Sequence, residues 1–145
     1  MKHHFTGQAT FTGGYDDYGT LKTKNMDTQI SIPASMNGVE IGTNPDEMLL
    51  GAATTCFIIS LSVLFERNNI PLTDLTVDST ATVAQTDGIL NYEAIDYVVH
   101  IKTDTPVSKH KLISRFVHKA EENCMITRAL KGNVTVSVKE IHIND

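Results

Sequence analysis

The sequence has no excess of positive charge. It carries 12 lysines and arginines against 17 aspartates and glutamates, and its net charge is −5. The three arginines, Arg67, Arg115 and Arg128, are scattered along the chain. Proteins that bind nucleic acid usually cluster positive charge on one face or along one helix. We therefore expect no nucleic-acid partner.

The N-terminus has no continuous apolar stretch of the kind found in a secretory signal. This predicts a cytoplasmic protein, and in the cytoplasm disulfides are rare and usually catalytic or redox-sensing. The chain of 145 residues is 41% hydrophobic and 20% charged. These values are typical of one ordinary soluble domain, which we expect to span residues 1–145.

Motifs for metals and nucleotides are also missing. The six histidines form no HExxH pair, and neither GxGxxG nor GxxxxGK[ST] occurs. We therefore expect no metal and no cofactor. The only two cysteines, Cys56 and Cys124, are 68 positions apart, so they form neither a CxxC pair nor half of a zinc knuckle. Buried structural thiols are the simpler interpretation of such a pair.

Alternating apolar and polar residues predict six strands. They cover residues 5–12, 20–24, 27–33, 75 to the turn at 87–88, 90–103 and 134–142. The dipeptide Asp87-Gly88 predicts a turn between the fourth and fifth strands. Between the last two strands, helical spacing of apolar residues predicts a helix over 106–123 and a short helical turn over 127–131 that ends at Gly132.

A long helix is predicted after the third strand. Asn44 suits its N-cap, Pro45 its first position, and Glu47 completes a variant of the capping box. Residues 48–65 carry no charge, and Pro71 follows the end of the segment. The resulting order is three strands, a long helix, two strands, two helices and a final strand. This order indicates an α+β fold.

The uncharged run has two interpretations, a membrane span or a helix buried inside a soluble protein. The run contains small and hydroxyl-bearing residues: Gly51, Thr54, Thr55, Ser60 and Ser62. These residues and the flanking strands favour burial, so no membrane is expected. A small domain can cover one face of such a helix with a sheet but seldom both. We therefore expect the other face to meet a second copy in a homodimer.

Two segments around the cysteines resemble the OsmC/Ohr family. Residues 43–57, TNPDEMLLGAATTCF, are similar to the central helix of that family, which has an Asn-Pro-Glu opening, a run of small residues and Cys-Phe. Residues 120–134, AEENCMITRALKGNV, are similar to its C-terminal cysteine block. The predicted order of elements also agrees with the family along most of the chain.

The resemblance implies an intertwined homodimer that reduces organic hydroperoxides and, in some members, hydrogen peroxide. Cys56 would attack the peroxide as a thiolate, and Cys124 would resolve the resulting sulfenic acid to a disulfide. A dithiol such as dihydrolipoamide would then reduce the disulfide. A pocket including Met48, Leu49 and Phe57 would suit the apolar tail of the substrate, although all three residues also suit the protein core.

The family also uses an acidic residue at the helix opening, and Asp46 occupies that position, with Glu47 as the neighbouring candidate. Ten helical residues span about 15 Å, so Asp46 is expected to serve the Cys56 of the partner subunit. Alternatively, both acids only favour the positive end of the helix dipole. For the pKa of Cys124, a new helical turn and the nearby acids Glu121 and Glu122 act in opposite directions, and the sequence leaves the sign open.

Two departures from the family bear on activity. The N-terminal turn that holds the family arginine has the sequence GGYDDYG over residues 13–19, without a positive charge. Lys22, Lys24 and Arg128 are the candidates to replace that arginine, but lysine lacks the planar fork of a guanidinium. Met125 stands where the family has proline after its second cysteine. The alternative function is therefore a non-catalytic protein of this fold that binds a small apolar ligand or senses oxidants.

Overall fold

The structure is a computed structural model that describes residues 1–145. The chain divides into two compact units, Met1–Met48 and Leu49–Asp145. The expectation of a single domain over residues 1–145 stays a prediction.

The first unit contains an antiparallel sheet in the order β1-β2-β3. Its strands are β1 (Gly7–Phe11), β2 (Gly19–Thr23) and β3 (Asp27–Ile30). The first and third strands are shorter than predicted. After Ile30, the Ser31 hydroxyl donates to the Ile41 carbonyl at 2.9 Å, and the Ile41 amide donates to Ser31 Oγ at 2.7 Å. These bonds fold the chain back on itself, so β3 ends before Pro33.

Helix α1 (Pro45–Arg67) begins at the predicted cap. The Glu47 amide donates to Asn44 Oδ1 at 2.9 Å, which satisfies one of the free N–H groups of the first turn. The predicted capping box is only half formed, because the Glu47 carboxylate accepts a hydrogen bond from the Thr43 hydroxyl at 3.0 Å. The helix ends before Asn69, whose φ of 54° is left-handed.

A second sheet, in the order β4-β5-β6, forms the second unit together with the rest of α1. Strands β4 (Asp74–Thr86) and β5 (Ile89–Lys102) form an antiparallel pair. Asp87 and Gly88 both have positive φ, 52° and 78°, as expected for the tight hairpin turn predicted there. Strand β6 (Thr135–Ile143) runs parallel to β5. A parallel pair needs a crossover connection, and helices provide it.

The crossover differs slightly from the prediction. Pro106 is extended, with ψ of 148°, so the chain first makes a 3-10 turn at Val107–Lys109, and α2 follows over His110–Asn123. The short helix α3 spans Met125–Leu130, two residues earlier than expected. Gly132, with φ of 92°, follows it as predicted.

The core of the second unit lies between its sheet and the helices. It is formed by β5 (Ile95, Tyr97, Val99, Ile101), α2 (Ile113, Val117, Ala120) and α1 (Ala53, Phe57, Leu61, Phe65), together with Ile70 and Val134. The buried residues of α1 are spaced four apart, so they form one stripe along the helix.

The opposite face of α1 is exposed and largely uncharged, and its Ile59 is 62% exposed. By length and composition α1 could cross a membrane, with a mean hydropathy of 2.1. The same composition is found in helices at the core of soluble proteins. Since α1 packs its buried stripe on a sheet, we interpret it as a core helix with one face left open.

Candidate active site

The two cysteines, 68 positions apart in sequence, meet in the second unit. Cys56 lies in the middle of α1, and Cys124 lies at the junction between α2 and α3. Both thiols are free. Cys124 is fully buried and Cys56 is partly exposed. A hydrogen bond between the two side chains acts on the pKa of each thiol, so the two cysteines are neighbours.

Two contacts fix α1 over the sheet beside Cys56. Thr54 Oγ1 lies 2.8 Å from Ser79 Oγ on β4. One residue after Cys56, the ring of Phe57 stacks on the ring of Tyr97 on β5, with centroids 4.7 Å apart and an angle of 19°. Ser79 and Tyr97 are direct partners across the two strands. The turn of α1 that carries Cys56 is therefore anchored at one level of the sheet.

The surroundings of Cys56 favour its thiolate. Burial alone would raise the pKa of this thiol, but four hydrogen bonds act in the opposite direction and lower it. They involve the Cys124 side chain, the backbone amides of Ile126 and Met125, and the Ser60 side chain. The pKa of Cys56 is therefore below its ordinary value, as expected of an attacking thiol.

The surroundings of Cys124 favour its neutral thiol. Burial raises its pKa, and so do the hydrogen bond to Cys56 and the charge of the Cys56 thiolate, while the backbone amide and the side chain of Thr127 act against them. The pKa of Cys124, whose direction of shift the sequence left open, is therefore raised. The main cause of this shift is burial rather than Glu121 or Glu122.

Tyr97 was not recognised from the sequence as part of this site, and Glu121 was considered only for its effect on the pKa of Cys124. Burial raises the pKa of Tyr97, and charges on Cys124, Glu121 and Cys56 raise it further. Burial also raises the pKa of the Glu121 carboxyl, with Glu122 as a second cause. The alternation of β5 predicted that Tyr97 points to the core. Only the fold reveals that this part of the core adjoins the thiols.

The predicted acidic residue, Asp46, lies in the first turn of α1, in the unit Met1–Met48. Its neighbour Glu47 has a local structural function, because its amide and its carboxylate both take part in the start of the helix. Asp46 also has an interaction within the chain, so both acids stay candidates, and the catalytic role of Asp46 stays a prediction.

Hydrogen-bond donors, and no side-chain cation, lower the pKa of Cys56. Of the candidates for the missing arginine, Lys22 pairs with Asp27 at 3.8 Å on the exposed surface of the first sheet. Arg128 lies in α3, and its backbone amide donates to the Cys124 carbonyl at 2.9 Å. The histidines, cysteines and acids nowhere gather in threes to hold a metal ion.

Two cavities adjoin the site. One, of about 300 Å³, is lined by Ile59, Ser60, Val63, Leu64, Arg67, Lys119, Ala120 and Asn123. The other, of about 500 Å³, lies along α3 and is lined by Glu121, Glu122, Thr127, Arg128, Lys131, Gly132, Val134, Thr135 and Val136. Phe57, predicted as a possible pocket residue, is instead fully buried in the core.

Comparison with known proteins agrees with this architecture. The family described as OsmC-like protein matches residues 37–139. The chain is 42% identical over 139 residues to the uncharacterized protein YmaD of Bacillus subtilis, covering 94% of this chain and 93% of that protein. It is 25% identical over 136 residues to the organic hydroperoxide resistance protein of Xanthomonas axonopodis pv. citri, covering 92% of each.

Among solved structures, an OsmC-like protein of unknown function from Vibrio cholerae superposes with a TM-score of 0.79. The match covers 95% of this chain and 100% of that one at 13% sequence identity, so it supports the fold alone. The α+β fold, predicted from the order of elements, is thereby confirmed, and so is the resemblance to the OsmC/Ohr family. Given the match over residues 37–139 and the likeness in fold, this chain belongs to the OsmC family.

Proposed function

We propose that this protein is a thiol-dependent peroxidase that reduces organic hydroperoxides. The observation that carries the proposal is the asymmetry of two thiols in contact. Cys56 is partly exposed and has a lowered pKa, whereas Cys124 is buried and has a raised pKa. A peroxidatic thiol needs access and a thiolate, while a resolving thiol needs only to be close.

The reaction begins with attack of the Cys56 thiolate on the terminal oxygen of the hydroperoxide. The O–O bond breaks, Cys56 becomes a sulfenic acid, and the alkoxide takes a proton and leaves as an alcohol. The Cys124 sulfur then attacks the Cys56 sulfur and forms a disulfide, and the Cys124 proton leaves with the hydroxyl group as water. A dithiol, such as dihydrolipoamide, supplies two electrons and two protons and restores both thiols.

The cavity beside Ser60 supports an organic substrate. Ile59, Val63 and Leu64 give it an apolar wall suited to a hydrocarbon tail. Arg67 and Lys119 also line it, and they would attract a carboxylate on that tail. Alkyl and fatty hydroperoxides are therefore expected to react faster than hydrogen peroxide.

The proposed protein is a cytoplasmic homodimer of single-domain subunits. The open face of α1 carries Ile59 and Val63, and apolar surface of this kind is normally covered. The first unit also exposes Phe5, Phe11, Tyr15 and Tyr18. A second copy that packs on α1 would cover its open face and close the open side of the cavity beside Ser60. Asp46 of each chain would then act on the Cys56 of the other chain.

The second candidate function is an oxidant sensor that reacts once. It is favoured by the lack of a side-chain cation among the groups that lower the pKa of Cys56. A sensor would form the Cys56–Cys124 disulfide but turn over slowly. The number of equivalents of peroxide consumed per subunit separates the two functions.

The decisive experiment measures consumption of cumene hydroperoxide by purified protein with dihydrolipoamide present. We expect many turnovers per subunit in the wild type and none in Cys56→Ser. Without the dithiol, Cys124→Ser should reduce one equivalent and stop at a sulfenic acid that dimedone traps. Ser62→Ala is the control for substitution within α1. Consumption of one equivalent or less by the folded wild-type protein would replace the peroxidase with the sensor.

A further inference from the structure

A buried hydroxyl beside the thiols has no hydrogen-bond partner. The side chain of Tyr97 is fully buried, and its hydroxyl oxygen is unpartnered. Nearly all buried polar groups in native proteins are hydrogen-bonded, so an orphaned hydroxyl calls for an explanation. One explanation is that its partner exists only in another chemical state of the site.

Tyr97 lies in the neighbourhood of the two thiols. Its ring is held by the stack on Phe57, next to Cys56 in sequence, and its strand position faces Ser79, which contacts Thr54 of α1. Apart from burial, the strongest influence on its pKa is the charge of Cys124, and the direction is upward. The phenol therefore keeps its proton and can donate a hydrogen bond to a negatively charged sulfur nearby.

Burial decides which sulfur becomes negative during reduction of the disulfide. Cys56 is partly exposed, so a dithiol from solution can reach its sulfur, whereas Cys124 is fully buried. Attack on the Cys56 sulfur releases Cys124 as a thiolate. Cys124 is buried, and burial disfavours the negative charge of this thiolate. Thr127 already donates to Cys124, and a further donor would lower the pKa of the leaving thiol and so speed the exchange.

We propose that the Tyr97 hydroxyl donates a hydrogen bond to the Cys124 sulfur as that sulfur leaves during reduction of the Cys56–Cys124 disulfide. The proposal rests on the disulfide of the proposed function. In this step the reductant thiolate forms a bond to the Cys56 sulfur, and the bond between the two cysteines breaks with its electron pair on Cys124. The second reductant thiol then releases Cys56, and Cys124 regains a proton from solvent.

The test uses Tyr97→Phe, which keeps the ring that stacks on Phe57 and removes only the oxygen. Wild type and variant are oxidised with diamide, which forms the disulfide without any peroxide, and are then reduced with excess dithiothreitol. We expect reduction of Tyr97→Phe to be about tenfold slower, the effect of losing part of a hydrogen bond to a charged group. Tyr18→Phe, which removes the hydroxyl of a tyrosine of the first unit that is 51% exposed, should be reduced at the wild-type rate.

A second measurement separates this role from loosened packing. The rate at which peroxide oxidises Cys56 in the reduced protein should be the same in Tyr97→Phe and the wild type, because that step leaves no charge on Cys124. Placing 3-fluorotyrosine at position 97 strengthens the donor with little change in volume, so it should speed reduction by dithiothreitol. Peptide mapping after a limiting monothiol should place the mixed disulfide on Cys56.

Three results would overturn the inference. One is reduction of oxidised Tyr97→Phe at the wild-type rate, and another is an equal slowing of oxidation and reduction. The third is failure of diamide to form the Cys56–Cys124 disulfide, which would also remove the resolving step from the proposed function. A protein that forms the disulfide with diamide but does not consume hydroperoxide would contradict only the peroxidase, and the dithiothreitol rates would still decide the role of Tyr97.

Discussion

Single residues make the two thiols different, although both lie in the same region of the second unit. Burial acts on both in the same direction, since it opposes the negative charge of either thiolate. Cys56 receives enough hydrogen bonds to lower its pKa despite burial. Cys124 donates one of these hydrogen bonds, and the negative charge of the Cys56 thiolate raises the pKa of Cys124 further. The order of reaction, with Cys56 first, therefore follows from the distribution of donors.

The contribution of Ser60 can be tested directly. Its side chain is one of the four groups whose hydrogen bonds lower the pKa of Cys56, so Ser60→Ala should raise that pKa. Only the thiolate reacts with iodoacetamide, and the whole pH profile of alkylation should move to higher pH. At neutral pH the variant should react several-fold more slowly than the wild type.

The matched control for this prediction is Ser62→Ala, an exposed serine of the same helix whose side chain is not among the groups that act on Cys56. It should leave the alkylation profile unchanged. The profiles should be measured in the Cys124→Ser background as well, so that the second thiol does not contribute to the signal. A Ser60→Ala profile that coincides with the wild type would show that the amides of α3 and Cys124 suffice.

At the scale of elements, the sequence predicted the helices and strands wherever the signal is local. The cap at Asn44 and the turn at Asp87-Gly88 depend on neighbouring residues, and both were found as expected. The end of β3 was placed too late, because Ser31 bonds to Ile41, ten residues further on. The N-terminus of α3 was also missed, since the residues after Cys124 carry no capping signal.

Burial within α1 leads to a prediction about stability. Leu61 is fully buried between the sheet and α2, so Leu61→Ala should leave a cavity and lower the free energy of unfolding by about 2–5 kcal/mol. Leu112, a leucine of α2 that is 38% exposed, is the control, and Leu112→Ala should cost less than about 1 kcal/mol. Urea unfolding followed by circular dichroism gives both values. Equal costs would mean that the stripe on α1 is not the core of this unit.

At the scale of the whole molecule, the sequence could not show that the thiols meet. Cys56 and Cys124 are separated in sequence by β4, β5 and α2, and three of the four groups that donate to Cys56 lie at residues 124–126. The pairing was therefore inferred from resemblance to a family. The same limit applied to Tyr97, because alternation along a strand identifies a core position without identifying its neighbours.

The proposed dimer predicts a response to charge on the open face of α1. Ile59→Lys would place a lysine where the second copy is expected to pack, and it should weaken association. Sedimentation velocity should give a dimer for the wild type and a dominant monomer for the variant at micromolar concentration. Val107→Lys, at an apolar residue that is 79% exposed outside α1, should remain dimeric. A wild-type protein that sediments as a monomer would contradict the arrangement.

The proposed dimer also predicts that Asp46 acts across the interface between the two chains. A heterodimer can be made from one Asp46→Asn chain and one Cys56→Ser chain. If Asp46 acts on the Cys56 of the other chain, this heterodimer contains one complete site, in which the intact Cys56 and the intact Asp46 meet across the interface. We expect such a heterodimer, isolated with two different tags, to retain about half of the wild-type activity, while the Asp46→Asn homodimer loses most of it. If Asp46 acts within its own chain, the same heterodimer has no complete site and its activity should be as low as that of the Asp46→Asn homodimer. If Asp46 only favours the helix N-terminus, the Asp46→Asn homodimer itself should be fully active, with at most about 1 kcal/mol lost from its stability.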